Sequence, residues 1–255
     1  MIMKRALAFC RIAVVAFPFF ILSTFAQSSS GTNYLFSGDD LLRVVLTNAF
    51  DASKSFSGLA KIKMENPEMP IDVDLGVCAQ NGDIRFYLDK TKVQGDPIFV
   101  EAAKMNLQEG LAHVVTLFKK GDSARYTIFP DRKMFKHTNE GLSLLPAVDF
   151  GEPFEIKPAD GGTETIDGHA CRKIEVRVVT KKDSKVAAVI WQAKDLDNAP
   201  IKAVLDIAQD VKIQVVNIQT NKLDAKLFEV PPGFREFTGS YYMPQFVTPT
   251  NAMKK

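Results

Sequence analysis

Apolar and polar residues alternate along the C-terminal half of this chain, between Gly162 and Phe234. A period of two is typical of a β-strand that buries one face and exposes the other. The apolar positions are Ile174, Val176 and Val178, then Val186 to Trp191, then Ile201, Ala203, Leu205 and Ile207, and finally Val211, Ile213 and Val215. Strands joined by such short polar breaks must be antiparallel, since a parallel neighbour needs a crossover of about a dozen residues or more. The pattern therefore predicts a β-meander.

The N-terminal half begins with a helical pattern. Apolar residues recur three and four positions apart between Leu41 and Phe50, and Ser37 stands where a capping residue is expected. A first strand is predicted from Phe56 to Met64, where the spacing changes to two. We therefore expect one amphipathic helix followed by a sheet.

A β-hairpin is predicted around Asn81 and Gly82, because Asn-Gly between two alternating segments is the strongest short hairpin signal. The apolar positions of its two strands are Ile71, Val73, Leu75 and Val77 before the turn, and Ile84, Phe86 and Leu88 after it. The inward face of this hairpin is expected to be entirely apolar.

The middle of the chain is less regular. Asp96-Pro97 is typical of a helix start, and the apolar residues as far as Phe118 fit either a broken helix or a helix followed by a strand. Ala124–Phe129 and Met134–Thr138 predict two strands joined by a turn. The short apolar segment Gly141–Phe150 lies between turn residues, and we expect it to form a helix or loop packed over the sheet.

Several residues of the C-terminal half form a recognisable series. They comprise a Gly-x-Glu-x-Ile-x-Gly-His pattern, a tryptophan strand, a proline and a terminal Phe-x-Val-Pro-x-Gly-Phe. Their order and spacing resemble the C-terminal half of the LolA-like lipoprotein-carrier superfamily, which includes LolA and LolB, and most closely its secreted members of unknown function. The residues are Gly162, Glu164, Ile166, Gly168, His169, Cys171, Trp191, Pro200, Phe228, Val230, Pro231, Gly233 and Phe234.

This resemblance implies a fold and a function. The fold is mainly β (α+β), an incomplete antiparallel β-barrel, or half-barrel, with helices covering its concave face. The function is binding of lipid or lipoprotein acyl chains in the envelope of a bacterium with an outer membrane, as a periplasmic carrier. In such carriers an arginine on an early strand holds the helical lid through backbone carbonyls. Arg85 is nearest by order, but its flanking pattern does not match, so the role is not assigned to it.

The first 26 residues have the three parts of a signal peptide. Basic residues precede an apolar core from Ile12 to Leu22, and small residues end at Ala26, which predicts cleavage before Gln27. The core is shorter than the roughly 20 residues that span a bilayer, so the mature protein is expected to be periplasmic or secreted and not membrane-spanning. Predicted segments are a signal peptide over 1–26, a flexible N-terminus over 27–38, one LolA-like domain over 39–237 and a disordered tail over 238–255.

Charge gives no indication of a nucleic-acid partner. Lys4, Arg5 and Arg11 leave with the leader, so the 30 acidic residues slightly outnumber the basic ones that remain. No basic run exceeds Lys181-Lys182, whereas nucleic-acid-binding domains carry a basic patch. We predict no nucleic-acid binding.

Patterns for catalysis and metal binding are weak. His169 and Cys171 are closely spaced, but zinc sites need three or four protein ligands and no second pair is present. No Gly-x-Ser-x-Gly elbow occurs, and no glycine-rich loop opens a helix. We predict a protein that is not an enzyme and that has no metal and no cofactor.

Two cysteines, Cys78 and Cys171, remain after the leader is removed with Cys10. An even pair outside the cytoplasm suggests a disulfide. A bridge, however, needs Cα atoms within about 7 Å, and these residues are far apart in sequence. The sequence leaves both a disulfide and two free thiols open.

The apolar strand positions are the candidates for a ligand site. A curved sheet with helices over one face offers a slot for an acyl chain, and each buried methylene contributes about 0.8 kcal/mol without any polar motif. The lining candidates are Ile71, Val73, Leu75, Phe86, Leu88, Phe129 and Trp191. The same residues would fill an ordinary core in the alternative, a non-catalytic structural or interaction module that meets an envelope protein partner. Both hypotheses stay open.

Overall fold

The structure, a computed structural model, describes residues 35–36, 38–50, 55–64, 71–95, 97, 100–101, 110–122, 125–138, 148–149, 153–206, 211–239 and 244–246. Strands dominate this part of the chain, and one helix, α1 (Gly38–Phe50), is described along its full length. The strands are β1 (Leu35–Phe36), β2 (Ser55–Met64), β3 (Ile71–Gln80), β4 (Asp83–Asp89), β5 (Gln94–Gly95), β6 (His113–Phe118), β7 (Arg125–Phe129), β8 (Met134–Thr138), β9 (Val148–Asp149), β10 (Phe154–Ile166), β11 (His169–Thr180), β12 (Ser184–Ala193), β13 (Ala199–Leu205), β14 (Val211–Gln219), β15 (Arg235–Gly239) and β16 (Pro244–Phe246).

One large sheet contains all strands except β1 and β9, which pair with each other. Its order is β10-β11-β12-β13-β14-β2-β3-β4-β6-β7-β8-β15-β16, with β5 paired to β3. Neighbours are antiparallel except β8 and β15. Within the described residues the edge strands β10 and β16 do not pair with each other, so the sheet stays open. The predicted fold class, a mainly β half-barrel with a helix against it, is confirmed.

The main hydrophobic core lies between α1 and one face of this sheet, called the inner face below. Val45, Ala49 and Phe50 of α1 are buried there, as the helical spacing of apolar residues predicts. Most strands of the sheet contribute apolar residues to this core, such as Val73 and Leu75 of β3. The opposite side is called the outer face.

Two hairpins have turns that use left-handed residues. Asn81 and Gly82 have φ of 55° and 89° and join β3 to β4, as predicted. Asp167 and Gly168 have φ of 51° and 85° and join β10 to β11. Two consecutive positive φ values are the requirement of the type I′ turn, which suits the twist of paired strands.

The predicted β-meander is confirmed and is one strand longer than the alternation indicated. β11 to β14 pair in sequence order, and β10 adds a 13-residue strand before them. Pro158 and two glycines hid β10 in the sequence, since both residue types are unfavourable inside strands. β10 is an edge strand, where proline is tolerated.

The two glycines of β10 form a β-bulge. The register shifts between Asp160 and Thr163, so that Gly161 and Gly162 together stand opposite Lys173. A Cβ on Gly161 would lie 2.9 Å from Lys173 Cγ, and Gly162 has φ of 87°. A larger residue would therefore clash with Lys173 at position 161 and would need a strained backbone at position 162.

After β14 the chain crosses the outer face, and we call residues 221–234 the C-terminal strap. Val230 and Phe234 pack there against Val115, Leu117 and Ile128. The chain then joins the sheet as β15, whose Phe237 is buried in the main core. The terminal Phe-x-Val-Pro-x-Gly-Phe motif is thus part of the strap, and it packs over the outer face at β6 and β7.

The predicted disordered tail is wrong in part. Thr238 and Gly239 belong to β15, and Pro244–Phe246 form β16, which pairs with β15. β16 has only three residues and one of them is a proline. Its apolar alternation was therefore too short to predict a strand from the sequence. The rest of that tail and the predicted signal peptide lie outside the described residues.

The predicted strands from 124 to 138 are confirmed as β7 and β8. Pro97, Val100 and Glu101 are helical, where Asp96-Pro97 predicts a helix start. Most of 141–150 is outside the described residues, apart from β9. No helix in the described ranges is long and apolar enough to cross a membrane.

Candidate ligand-binding face

Five of the seven predicted lining residues lie together on the inner face. Val73, Leu75, Leu88 and Phe129 are buried in the main core, and Phe86 packs against it. They converge because β3, β4, β6 and β7 are consecutive neighbours in the sheet and residues of one parity share a face. A continuous apolar surface therefore runs across these strands.

Of the other two predicted lining residues, Ile71 has the strand parity of Val73, and Trp191 belongs to a different cluster. Ile71 is the first residue of β3, opposite Met64 of β2 and Gly95 of β5. Trp191 lies apart, in a second cluster with Cys171, Ala193 and Ile201. Its neighbour Ile190 takes the place in the main core instead, so the continuous apolar run of β12 did not reveal which parity faces inward.

Helix α1 covers part of the inner face. It packs against β10, β11, β12 and β13. At its C-terminal end Phe50 stacks on Phe56, with ring centroids 5.6 Å apart, and meets the edge of Phe86 at 6.1 Å. The helix is thus joined to the apolar surface by non-directional contacts between rings and aliphatic side chains.

Gln192 of β12 adds a directional contact to the same helix. Its side chain is fully buried, and its Nε2 donates to the carbonyl oxygens of Asn48 and Ala49 at 3.0 and 2.9 Å. These carbonyls belong to the last turn of α1, where backbone acceptors lack helical partners. Gln192 Oε1 is buried without a hydrogen-bond partner. Sequence reasoning missed this residue, although one amide within an apolar strand run was the available signal.

Arg85 does not perform this role. It lies between Ile84 and Phe86 of β4, both of which contact the main core, so its side chain belongs to the outer parity. Its guanidinium is 5.8 Å from the ring centroid of Tyr87. Among the described residues, Gln192 is the one shown donating to backbone carbonyls of α1.

Polar and charged side chains surround Trp191 in the second cluster. Its Nε1 donates to Glu164 Oε2 at 2.8 Å, and the Nζ atoms of Lys202 and Lys173 lie 4.8 and 5.9 Å from its ring centroid. Such cation–π contacts stabilise a ring that lysine stems cover. The motif glutamate and tryptophan are therefore a structural pair that fastens the edge strand β10 to β12.

The motif histidine is held in a comparable way. His169 Nδ1 lies 2.7 Å from Asp195 Oδ2. The hydrogen bond from His169 lowers the pKa of the Asp195 carboxyl below its ordinary value. This contact joins the start of β11 to the turn after β12. In the described part of the chain no group of three or more His, Cys, Asp or Glu side chains is arranged to hold a metal ion.

The disulfide considered from the sequence is not formed, because Cys78 and Cys171 are both free. Cys78 is in β3 and Cys171 is in β11, with β2, β14, β13 and β12 between them in the sheet. At about 4.8 Å per strand step this separation far exceeds the reach of a disulfide. Burial raises the pKa of both thiols. Buried Cys171 donates to the His169 carbonyl at 3.4 Å.

One lysine is unusually placed. Lys90 follows β4 and is 2% exposed. Loss of hydration lowers the pKa of its amine to about 7, and the nearby Asp131 carboxylate opposes that shift. The Oδ1 atom of Asp131 lies 2.9 Å from His113 Nδ1.

Comparison with known proteins gives matches among solved structures alone. No protein-family model matches the sequence, and no curated protein matches it. A LolA superfamily protein from Nitrosomonas europaea has 10% identity and a TM-score of 0.33, covering 75% of this chain and 97% of that chain. The Mycobacterium tuberculosis lipoprotein LppX has 14% identity and a TM-score of 0.28, covering 72% and 96%. A putative outer membrane lipoprotein-sorting protein domain from Vibrio parahaemolyticus has 8% identity and a TM-score of 0.31, covering 74% and 94%.

The superfamily that the motifs resemble is thus represented among the structures similar to this chain.

Proposed function

We propose that this chain is an exported protein that binds acyl chains of lipids or lipoproteins, and that it serves as a periplasmic carrier for outer-membrane lipoproteins. The observation that carries the proposal is the contact between α1 and the inner face. In the part of α1 whose side chains are described, Val45, Ala49 and Phe50 make this contact within the main core, and Gln192 donates to two carbonyls at its end.

An acyl chain can replace such a contact at little cost. Burial of apolar surface is favourable by about 25 cal/mol per Å² whichever apolar group covers it. Val45 and Phe50 of α1 therefore compete with methylene groups for the same surface of the sheet. A binding role of this kind needs no catalytic group, so we propose a carrier and not an enzyme.

Fluorescence binding tests the proposal. The chain from Gln27 onward would be titrated with cis-parinaric acid, whose emission rises in apolar surroundings, and then with palmitate or a palmitoylated peptide as competitors. Saturable binding that both competitors reverse is expected. Leu227→Ala is the control, because Leu227 is an exposed large hydrophobic side chain, at 37%, and would mediate non-specific adsorption. Signal that neither saturates nor competes would contradict the proposal.

A structural or interaction module with a filled core is the second candidate. Phe129 and Phe237 support it, since both are fully buried and their ring centroids lie 5.9 Å apart. Ala60→Leu separates the two, because Ala60 is buried on the inner face of β2. If the inner face holds a slot, the protein would accept the larger side chain and would no longer bind cis-parinaric acid. If the core is filled, the free energy of unfolding would fall by about 1–3 kcal/mol.

A further inference from the structure

A row of polar residues crosses the inner face on β6, β7 and β8. Thr116, Thr127 and Lys136 stand opposite one another in the sheet register. Val114 and Phe129, two positions away on β6 and β7, are buried in the main core. Residues two apart share a strand face, so the row lies on the inner face. Arg125, two residues before Thr127, lies on the same face, and these four residues are called the polar row.

The polar row adjoins the apolar lining directly. Phe86 of β4 stands opposite Thr116. The neighbouring row on the same strands contains Leu88, Val114 and Phe129. Positions two apart are about 7 Å from each other along a strand. A chain of methylenes on the apolar row would therefore end within reach of the polar row.

Two members of the polar row are buried hydroxyl residues. Thr116 is 1% exposed and Thr127 is 3% exposed. The Thr116 Oγ1 atom is buried without a hydrogen-bond partner, a state that costs about 1–3 kcal/mol in a folded protein. An oxygen atom of a bound ligand would supply the missing partner of this hydroxyl.

The other two members are basic. Arg125 has Nε and Nη1 buried, and Lys136 is half-buried. The three strands β6, β7 and β8 contain no aspartate or glutamate. The charge that these strands place on the inner face is therefore positive. Guanidinium, ammonium and hydroxyl donors together suit the oxygens of a carboxylate or phosphate.

We propose that the polar row binds the anionic headgroup of an amphiphile whose acyl chain lies along the apolar part of the inner face. This inference rests on the proposed function and adds the ligand class to it, an acyl chain with a carboxylate or phosphate head. Arg125 and Lys136 supply the charge, and Thr116 and Thr127 donate hydrogen bonds to the same oxygens.

Three probes with one twelve-carbon chain and different heads test the inference by titration calorimetry on the chain from Gln27. Laurate has a carboxylate, 1-lauroyl-lysophosphatidate has a phosphate and 1-monolauroylglycerol is neutral. At least one anionic probe is expected to bind about tenfold more tightly than the neutral one, since a hydrogen bond to a charged group is worth about 1.5–3 kcal/mol. Which anion binds more tightly identifies carboxylate or phosphate as the preferred head.

Charge variants then assign the preference to the polar row. Lys136→Gln and Arg125→Gln should each reduce affinity for the preferred anion about tenfold and leave monolauroylglycerol within about twofold. Lys61→Gln is the matched control, because it removes the same charge from an exposed residue between Ala60 and Ile62, which contact the main core. Equal loss with Lys61→Gln would overturn the assignment.

Thr116→Val separates a binding role from a structural one. Valine keeps the shape and removes the unpartnered hydroxyl, so the free energy of unfolding should stay constant or increase. Affinity for the anionic probe should fall severalfold in the same variant. Unchanged anion affinity in the Thr116, Arg125 and Lys136 variants, or equal binding of all three probes, would overturn the inference and leave the proposed function standing. No binding of any probe would overturn both.

Discussion

At the residue scale, Gln192 connects the sheet to its helix. Its amide donates to two carbonyls in the last turn of α1, at 3.0 and 2.9 Å, while its own oxygen is buried without a partner. The two bonds favour the docked helix, and the unpartnered oxygen opposes it. A ligand that displaces α1 therefore has to break two hydrogen bonds, and it gives the unpartnered oxygen of Gln192 the chance to find a donor.

Gln192→Met should weaken the docking of α1. Loss of two hydrogen bonds, offset by removal of the unpartnered oxygen, should lower the free energy of unfolding by about 1 kcal/mol. Amide hydrogen exchange in Gly38–Phe50 should become faster. Gln214→Met is the matched control, since Gln214 is exposed and bonds Asp167 at 3.1 Å on the surface. Equal changes in both variants would show that Gln192 does not hold the helix.

Lys90 makes stability depend on pH. Its pKa is lowered to about 7 in the folded protein, mainly by loss of hydration, from the model-peptide value of 10.5. Between these values the unfolded chain binds more protons, so the contribution of this amine to the free energy of unfolding increases with pH. The slope is at most about 1.4 kcal/mol per pH unit.

Lys90→Met should therefore stabilise the protein most near pH 6.5, where the buried amine of the wild type is charged. The gain over wild type should shrink as the pH rises towards 9.5, in urea unfolding curves measured across that range. Lys92→Met is the control, because that side chain is 75% exposed. A difference between wild type and Lys90→Met that is constant with pH would be inconsistent with a buried amine.

At the element scale, the hairpin of β10 and β11 shows how motif glycines serve the fold. Gly162 sits in the bulge with φ of 87° and Gly168 in the turn with φ of 85°. Glu164 lies between them and accepts the Trp191 Nε1 hydrogen bond. The series that resembles a carrier superfamily is therefore a set of residues that shape and fasten an edge strand.

Gly162→Ala should destabilise this hairpin. No atom lies within 4 Å of the added Cβ, so the cost is the left-handed backbone alone, about 1–2 kcal/mol. Gly76→Ala is the control, because Gly76 has no positive φ and its added Cβ would meet Tyr87 Cβ at an ordinary 3.5 Å. Chemical denaturation gives both values. A Gly162 variant as stable as the Gly76 variant would exclude backbone strain as the reason for this glycine.

At the scale of the whole molecule, period-two alternation in the sequence predicted most strands. It predicted the residues of the inner face only in part. Val73, Leu75 and Leu88 were predictable because alternating segments with a known turn fix their parity. Trp191 was misplaced among them because β12 is apolar on both parities, with Ile190 in the main core. The polar row could not be predicted from the sequence. Thr116, Thr127 and Lys136 are neighbours only because of the strand register, which the sequence pattern does not determine.

Native mass spectrometry tests the central claim, that the inner face accepts an acyl chain. The chain from Gln27 would be purified without detergent from the expressing cells, and its lipids would be extracted in parallel. We expect a protein-bound mass that matches an extracted acyl-bearing molecule and that added palmitate displaces. A protein that is empty on purification, and that gains no adduct with palmitate, would contradict the account and leave the filled interaction module in its place.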